Sequence, residues 1–390
     1  MLGEVWGVPC GNCFALSHAS PAQRYCALVR RLPLALIATV VALLTVVPGA
    51  VAGSVGFSAD AGFQALTATD AGTTATDTEL TNLKASWIRV DVRWNTIAAT
   101  QPTNARLPGN AAYNWASVDA QFAAAQKIVM PLRSPTALQV LVSIGGTPDW
   151  ARSDGGAGGS PGDPAWAPKR AAFQNFVAAV VARYGSRTAA YEIWPSPNVQ
   201  AGLRPQRLAG RLVAPGLLRV LTKYATTEIR KVTTAPIITG GLARTDAAST
   251  VDTPSITFLR SMARTRIQAD AIGMRLVPAG GVEAPADPAN LALSDPGTII
   301  ANVDAYFPNQ GKGVWVTGYT AGLSTTDPAP VNVFLGAALN PRFGVSIWNN
   351  LVDTSTAPTN GLYEAAVAPA IFGTPKAAQP AWVAAVAALP

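Results

Sequence analysis

Two kinds of side chain in this sequence could carry out chemistry, namely cysteine thiols at a short spacing and scattered carboxylates. Cys10 and Cys13 are separated by two residues, which is the spacing of redox and zinc sites, whereas Cys26 and the single histidine, His18, stand apart. A Cys-x-x-Cys pair without a second ligand pair is a weak indication of a metal or redox centre. The cysteines therefore do not define a site by themselves.

The carboxylates could act as general acids or bases, which requires a side chain that exchanges a proton beside the reacting bond. From residue 53 onward the sequence holds five glutamates, which are Glu79, Glu192, Glu228, Glu283 and Glu364. Glu192 and Asp149 lie within or just after apolar, β-rich runs and are the candidate catalysts. We favour structural roles, because buried charges are usually paired and aspartate often occurs in turns. Glu192 would then pair with Arg89, and Asp149 would follow Pro148 in a turn.

The N-terminal part has the organisation of a secretory signal peptide. Arg30 and Arg31 precede a mostly apolar run, 32–47, and an Ala-Val-Ala sequence ends at Ala52. This order of basic, apolar and small residues is typical of a cleaved signal. The run is shorter than the roughly 20 residues of a spanning helix. We therefore expect cleavage after Ala52 and a secreted protein, with a membrane anchor at 32–47 as the alternative.

The segment before the signal fits no domain, so we interpret the chain as three parts. Residues 1–28 are an extension, which is either mis-annotated, with translation starting at Val29, or disordered. Residues 29–52 are the signal, and residues 53–390 form one domain. Every cysteine and the histidine then lie outside the mature chain. That excludes disulfides, thiol or imidazole nucleophiles and zinc sites built on these ligands. We expect neither a metal ion nor a cofactor.

Composition and charge limit the class of protein further. Hydrophobic residues make up 49% of the sequence and charged residues 13%, which predicts a large core and argues against disorder. Removing three arginines and one glutamate with residues 1–52 reduces the net charge from +7 to +5. The positive residues form no dense block, so a nucleic-acid partner is disfavoured.

The secondary-structure pattern alternates between β-rich runs and helical segments. Eight runs have strand character: 54–59, 86–94, 138–146, 189–194, 236–241, 270–276, 313–319 and 343–349. Apolar residues at helical spacing predict a helix over 171–184 that ends at Gly185, and further helices over 215–231 and 115–126. The alternation predicts an α/β protein with a (β/α)₈ TIM barrel. A doubly wound sheet is the alternative, but no predicted strand is followed by a phosphate-binding glycine turn. The glycine-rich stretch 153–164 is predicted to be a loop.

Four strings in order carry a resemblance to a known group of enzymes. They are "WIRVDVRW" (87–94), "GGTPDWA" (145–151), "AAFQNFVAAVVARYG" (171–185) and "GVSIWNNLVD" (344–353). Over nearly all of 54–390 the chain resembles the clan A retaining glycoside hydrolases, most of all β-xylosidases and cellulases. The resemblance implies a carboxylic acid at the end of strand four and a carboxylate about 5 Å away, at the end of strand seven.

Both catalytic positions that the resemblance implies carry other residues. The acid/base position falls on Ser196, and the preceding asparagine of the family falls on Pro195. The nucleophile position falls on Gly318, which has no side chain to attack with. On strand six, Arg275 and Val277 occupy the place of the family's His-Pro-Tyr pattern. The resemblance therefore implies a glycosidase barrel with both catalytic glutamates missing.

Aromatic residues at the ends of strands remain as candidate sugar-binding walls. Trp150, Trp194, Tyr319 and Trp348 follow or end strands three, four, seven and eight. They could stack on sugar faces or fill the core, and for Trp348 we favour the ligand-facing role. The predicted substrate-binding set is Trp150, Trp194, Asn198, Tyr319, Trp348 and Arg89.

The function that follows from these observations is non-catalytic. We expect an exported barrel that binds carbohydrate, or a protein partner, through the loops at the C-terminal ends of its strands, with no contact to the membrane after signal cleavage. The alternative is an active glycoside hydrolase that uses Asp149 or Glu192. Fold alone does not decide between them.

Overall fold

Eight parallel strands form the centre of the protein and close into a barrel. The computed structural model describes residues 53–130, 136–156, 162–246, 249–276, 287–321, 327–353, 361–364 and 372–387. The strands are β1 (Ser54–Ser58), β2 (Ala85–Arg93), β3 (Gln139–Gly145), β4 (Ala190–Ile193), β5 (Ile237–Thr239), β6 (Ala271–Leu276), β7 (Gly313–Tyr319) and β8 (Phe343–Trp348). Closure is complete because β1 pairs with β8 on one side and with β2 on the other. The β5–β6 contact is made at Ile238 and Ala271, and the short strand Leu242–Ala243 extends it.

Helices follow each strand and cover the outside of the barrel. They are α1 (Ala61–Leu66), α2 (Asp70–Asn82), α3 (Trp94–Ile97), α4 (Ala116–Lys127), α5 (Arg170–Tyr184), α6 (Ala214–Ile229), α7 (Ser255–Arg264), α8 (Pro296–Tyr306), α9 (Ala329–Ala338) and α10 (Ala378–Ala387). The predicted (β/α)₈ barrel is confirmed, and each of the eight predicted strand runs overlaps a barrel strand. Within the described ranges, none of these helices is both long and apolar enough to cross a bilayer.

The parts predicted for the N-terminus lie outside the described residues. These are the extension 1–28, the signal 29–52, the cysteines and the histidine. Val277 and Glu283 also lie outside them, as does part of the glycine-rich stretch, 157–161. The described residues belong to one compact unit that spans 50–390.

The barrel wall separates two layers of buried side chains. Alternate residues of a strand face opposite sides, so each strand contributes to both layers. The inner layer at the base of the barrel is apolar and contains Trp87, Leu141, Ala190, Ile238, Ala271, Trp315, Val345 and Ile347. Trp87 and Trp315 meet edge to face there, with ring centroids 5.3 Å apart. The outer layer, between strands and helices, forms the larger core. A packed base leaves only the upper end of the barrel free for polar side chains.

Helix α5 shows how the sequence pattern produces a packed element. Its buried stripe includes Phe173, Phe176, Val180 and Tyr184, and the helix ends one residue before Gly185, as predicted. Gly185 has a right-handed backbone, so a left-handed cap is not the reason for glycine. A Cβ at this position would lie 3.3 Å from methyl carbons of two valines, which shows that close packing favours glycine here.

Candidate functional site

Two cavities open at the C-terminal ends of the strands, where (β/α)₈ barrels build their active sites. We call this region the barrel mouth. The large cavity has a volume of about 520 Å³ and lies between β1, β2, α1, α3 and α4. The small cavity, of about 200 Å³, lies above β2, β3, β4 and β6. Arg89, Asp91 and Arg93 line both cavities, so β2 forms the wall between them.

Strand β2 brings charged groups to the mouth because its alternate residues face inward. Below them, Trp87 belongs to the apolar inner layer. Arg89 is buried and contacts Asp91 at 2.8 Å, while Asp91 is partly exposed. Burial alone would lower the pKa of Arg89, but the charges of Asp91 and Glu192 outweigh burial and raise it. Arg89 therefore remains positively charged, and it lies between the interior of the barrel and the mouth.

Glu192 is a structural anchor beneath the mouth. Its side chain has no exposed surface and accepts hydrogen bonds from the hydroxyls of Ser143 and Thr317, each at 2.6 Å. The Gly241 amide donates a third hydrogen bond at 2.9 Å, and Arg89 lies 3.4 Å away. With both oxygens engaged by strands β3, β7 and the turn after β5, Glu192 lines neither cavity. The favoured sequence interpretation, a buried partner of Arg89, agrees with this geometry.

Asp149 is likewise not part of the mouth. It begins a single 3₁₀ turn, Asp149–Ala151, directly after Pro148, and 51% of its side chain is exposed. Both of its oxygens accept the Gly162 amide hydrogen at 2.9 Å, and Arg152 is 3.5 Å away. It lines neither cavity. The structure therefore does not bring the two candidate catalysts, Asp149 and Glu192, to a common site.

The two positions that the resemblance assigns to catalysis lie at the upper ends of β4 and β7. Ser196 has a left-handed backbone with φ of 54°, and its amide donates to the Gly241 carbonyl at 3.0 Å. Gly318 is paired with Arg275 in the β6–β7 ladder. A Cβ on Gly318 would lie 3.5 Å from the Arg275 Cγ, so position 318 faces the same space as that arginine.

Trp348 and Tyr319 do not face the mouth, which corrects the predicted ligand-facing role. Both are buried and pack on each other with ring centroids 5.2 Å apart. Phe334 of α9 lies 5.3 Å from Trp348, and Trp382 of α10 lies 5.9 Å from it. The physical reason is side-chain alternation, because the preceding residue, Ile347, already faces the barrel interior. In β7, a register shift between 316 and 319 turns Tyr319 outward.

Trp194 and Trp150 also serve mainly as packing residues. Trp194 has a left-handed backbone with φ of 66°, and its ring packs on Phe173 of α5 while touching the small cavity. Its indole N–H donates to the Gly202 carbonyl at 2.9 Å. Trp150 is half-buried, donates its indole N–H to the Ala98 carbonyl at 2.8 Å and meets Trp94 edge to face. With these contacts, neither ring directs an open face into the mouth.

Asn198 is a structural clamp, which corrects its assignment as a ligand-binding residue. It is fully buried. Its amide nitrogen donates to the carbonyls of Ala243 and Thr253, at 2.8 and 2.9 Å, and its oxygen accepts the Ala243 amide at 2.7 Å. These bonds join the loop after β4 to that after β5. Of the predicted binding set, only Arg89 is a polar side chain that lines the mouth.

Several mouth residues were not selected from the sequence. Asp60 caps α1 by accepting the Phe63 amide at 2.8 Å and also accepts from Asn350 at 2.6 Å. Burial raises the pKa of Asp60, against the effect of these hydrogen bonds. Gln121 of α4 accepts the Asp91 amide hydrogen at 3.1 Å and lines the large cavity. The alternation of charges along β2 was the one signal in the sequence that could have indicated this cluster.

Metal ions require sets of ligand side chains that lie close together. The part of the chain that the structure describes contains no group of three or more His, Cys, Asp or Glu side chains that could hold a metal ion. Within the described ranges, the carboxylates that line the large cavity are Asp60 and Asp91. The described side chains of the mouth offer hydrogen bonding and ion pairing by arginine, carboxylate, amide and hydroxyl groups.

Solved structures with a similar fold include several glycoside hydrolases. A family 39 glycoside hydrolase from the gut symbiont Bacteroides cellulosilyticus WH2 has a TM-score of 0.56 and 14% identity, over 87% of this chain and 64% of that chain. A monomeric β-xylosidase from Caulobacter crescentus CB15 has a TM-score of 0.52 and 15% identity, over 85% and 67%. A hyperthermophilic β-glucosidase has a TM-score of 0.56 and 10% identity, over 85% and 98%. This chain thus spans just under two thirds of the family 39 enzyme.

The class of protein follows from the barrel and these neighbours. No protein-family model and no curated protein matches the sequence. At 10–15% identity, likeness to solved structures establishes the fold alone. The chain is a glycoside-hydrolase-like (β/α)₈ barrel, and the predicted resemblance is confirmed at that level.

Proposed function

We propose that this protein binds carbohydrate in the barrel mouth and does not hydrolyse it. The observation that carries the proposal is the large cavity of about 520 Å³, which opens at the functional end of the barrel and is lined by hydrogen-bonding side chains. Asp91, Asn114, Ser117 and Gln121 contribute to that lining. Sugars present many hydroxyl groups, and such a lining provides donors and acceptors for them.

We propose that hydrolysis is absent because Glu192 is already held by other groups and the family's two catalytic positions carry no carboxylate. Retaining and inverting enzymes need a proton donor and a second carboxylate that acts as a nucleophile or base. Glu192 is saturated by four neighbouring groups and lies below the cavities. The positions that the resemblance assigns to the two glutamates carry Ser196 and Gly318. A serine hydroxyl does not release its proton near neutral pH, and glycine offers no nucleophile.

The site of action in the proposal is outside the cell, because residues 29–52 have the organisation of a signal peptide. A protein partner that binds through the same loops is the other occupant that the sequence leaves open.

A hydrolase that uses Asp60 and Asp91 is the second candidate function. Both carboxylates line the large cavity. Burial raises the pKa of Asp60, as is required of a general acid, while Asp91 is held beside Arg89 at 2.8 Å. Against this candidate, Asp60 already caps α1 and accepts a hydrogen bond from Asn350.

The test of binding is calorimetric titration of the protein with neutral and acidic oligosaccharides, using a variant that blocks the large cavity. Ser117 is exposed on α4 and lines this cavity, so Ser117→Trp should fill it and abolish binding. Ala123→Trp is the matched control, because Ala123 is exposed on the same helix but does not line the cavity. Equal binding by both variants would place the ligand elsewhere, and the absence of binding in all three proteins would refute the proposal.

A further inference from the structure

Arg275 is the feature of the mouth that the proposed function leaves unexplained. It lies on β6, lines the small cavity and is partly exposed. Among the residues that the structure describes, its guanidinium has neither a hydrogen bond nor a salt bridge within normal distance. An arginine carries five N–H donors in a planar fork. A partly buried guanidinium with these donors unused is available to a ligand.

The neighbours of Arg275 and its burial disfavour its positive charge. The positive charge of Arg89 lowers the pKa of Arg275, and burial lowers it further. Glu192 and Asp91 act in the opposite direction without overcoming these effects. Arg89 already has its own carboxylates, since it contacts Asp91 at 2.8 Å and Glu192 at 3.4 Å. The negative charges of Asp91 and Glu192 therefore mainly compensate the charge of Arg89 and not that of Arg275.

The small cavity as a whole carries an excess of positive charge. Among the described residues, three arginines line it, Arg89, Arg93 and Arg275, against one acidic residue, Asp91. Arg93 is exposed and, within the described part of the chain, makes no salt bridge. The other described lining residues are uncharged: most are glycines, prolines and apolar residues, and Asn95 and Ser143 are polar. Low-dielectric walls strengthen the attraction of such a cavity for an anion.

The size of the cavity limits the anion that it can take. A volume of about 200 Å³ accommodates one sugar ring or a single charged substituent, and the large cavity lies on the other side of Asp91. Guanidinium groups bind carboxylates and other planar or tetrahedral oxyanions through paired, charge-assisted hydrogen bonds. A saccharide that extends across both cavities would place an acidic substituent beside Arg275 and neutral hydroxyls beside Gln121.

We infer that the ligand is an acidic saccharide, whose carboxylate or sulfate group is bound by Arg275 with Arg93 at the edge of the small cavity. This inference rests on the proposed carbohydrate-binding function and adds the chemical class of the ligand. The shared chemistry is an oxyanion on a sugar, and the test separates its two forms.

The experiment is calorimetric titration of the full chain with two matched pairs of probes. Oligogalacturonate and its methyl ester differ only in the charge of the carboxyl group, and dextran sulfate and dextran differ only in sulfation. The variants are Arg275→Gln and Arg275→Lys. Arg260→Gln is the control for net charge, because Arg260 is exposed on α7 and lines neither cavity.

The inference predicts that the protein binds the acidic member of at least one pair about tenfold or more tightly than the neutral member, because hydrogen bonds to charged groups are stronger than neutral ones. The preferred pair identifies carboxylate or sulfate. Arg275→Gln should lose this preference, Arg275→Lys should keep part of it, and Arg260→Gln should keep all of it. Higher salt should weaken binding of the acidic member alone.

Different failures separate the inference from the function on which it rests. Equal binding of acidic and neutral members overturns the inference and leaves carbohydrate binding in place. Inorganic sulfate is titrated as a fifth probe, and its binding through Arg275 without binding of any saccharide overturns both the acidic-saccharide inference and the carbohydrate function. Thermal unfolding checks the variants, because removal of a repelled charge in Arg275→Gln should not lower the melting temperature. A marked loss of stability would show that Arg275 has a structural partner and would also overturn the inference.

Discussion

Arg275 and Gly318 are partners in the β6–β7 ladder, and the space that a side chain at 318 would enter is the space beside this arginine. The resemblance to glycoside hydrolases puts a nucleophilic glutamate at position 318. In this protein the position has no carboxylate and its neighbour is a cation without a salt bridge in the described part of the chain. The pair therefore joins the position at which the resemblance implies a nucleophile with the arginine that we propose as the anion site.

Gly318→Glu should occupy the anion site from within the protein. The new carboxylate would lie beside Arg275 and compete with an acidic saccharide, so binding of that saccharide should weaken about tenfold. The Asn349 side chain must move, since its oxygen would lie 2.9 Å from a Cβ at 318. Gly318→Gln has the same size without the charge and should weaken binding less, as measured by calorimetry. Equal losses in the two variants would point to steric exclusion instead.

Trp348→Ala should affect stability and not ligand binding. The ring is fully buried against Tyr319, Phe334 and Trp382, so truncation leaves a cavity and costs about 3–5 kcal/mol. Denaturant unfolding measures the loss, and Trp348→Phe should retain part of the stability. A folded Trp348→Ala protein with unchanged stability and reduced sugar affinity would restore the ligand-facing interpretation.

Glu192→Gln should destabilise the barrel without a specific effect on binding. The amide introduces donors where Ser143, Thr317 and the Gly241 amide already donate, and it leaves the Arg89 charge less compensated. Removing one partner of a buried ion pair costs about 3–5 kcal/mol. Asp149→Asn is the comparison, because that side chain is half exposed and the change should cost less than about 1 kcal/mol. Urea unfolding of the two variants should separate these values clearly.

Stability should fall at acidic pH in part through Glu228. Burial alone would raise the pKa of Glu228, but hydrogen bonds from Lys231, Arg106 and Gln174 outweigh burial and lower it to about 2. Because the folded pKa is below the unfolded value of 4.5, the stabilisation is fully present above pH 4.5 and is lost as the pH falls towards 2. Its size is on the order of 2 kcal/mol, after allowance for the exposure of two of the partners.

The test compares the wild-type protein with Glu228→Gln across that pH range by denaturant unfolding. The difference in unfolding free energy should be largest above pH 5 and should shrink below it. A difference that does not change between pH 7 and 3 would show that this carboxylate is not held by its neighbours as described.

The protein should release no aryl group from aryl β-xylosides or aryl β-glucosides above background. This expectation follows from the engagement of Glu192 and from Ser196 and Gly318 at the positions implied by the resemblance. Measurable turnover that disappears in Asp60→Asn or Asp91→Asn would assign catalysis to the large cavity. Turnover that disappears in Asp149→Asn or Glu192→Gln would instead support the catalysts proposed from the sequence.

The sequence by itself determined the fold, because hydrophobic periodicity is a local property. The alternation in β2 and the helical stripe of α5 were sufficient to predict the elements, and their order was sufficient to predict the barrel. The structural roles of Glu192 and Asp149 could also be predicted, since a charge in an apolar strand needs a partner and a proline-aspartate pair forms a turn.

Only the tertiary structure decided which side chains face the mouth. Trp348, Tyr319 and Trp194 lie at strand ends, where the sequence predicted that they bind a ligand. Their rings instead pack in the core. The cause is side-chain alternation for Trp348, a register shift for Tyr319 and a left-handed backbone for Trp194. The meeting of Arg89 with Arg275 was equally hidden, because these residues lie on strands far apart in sequence. A one-residue change in register reverses the face of every following side chain. The sequence pattern therefore identifies strands, whereas the closed barrel determines which residues share a site.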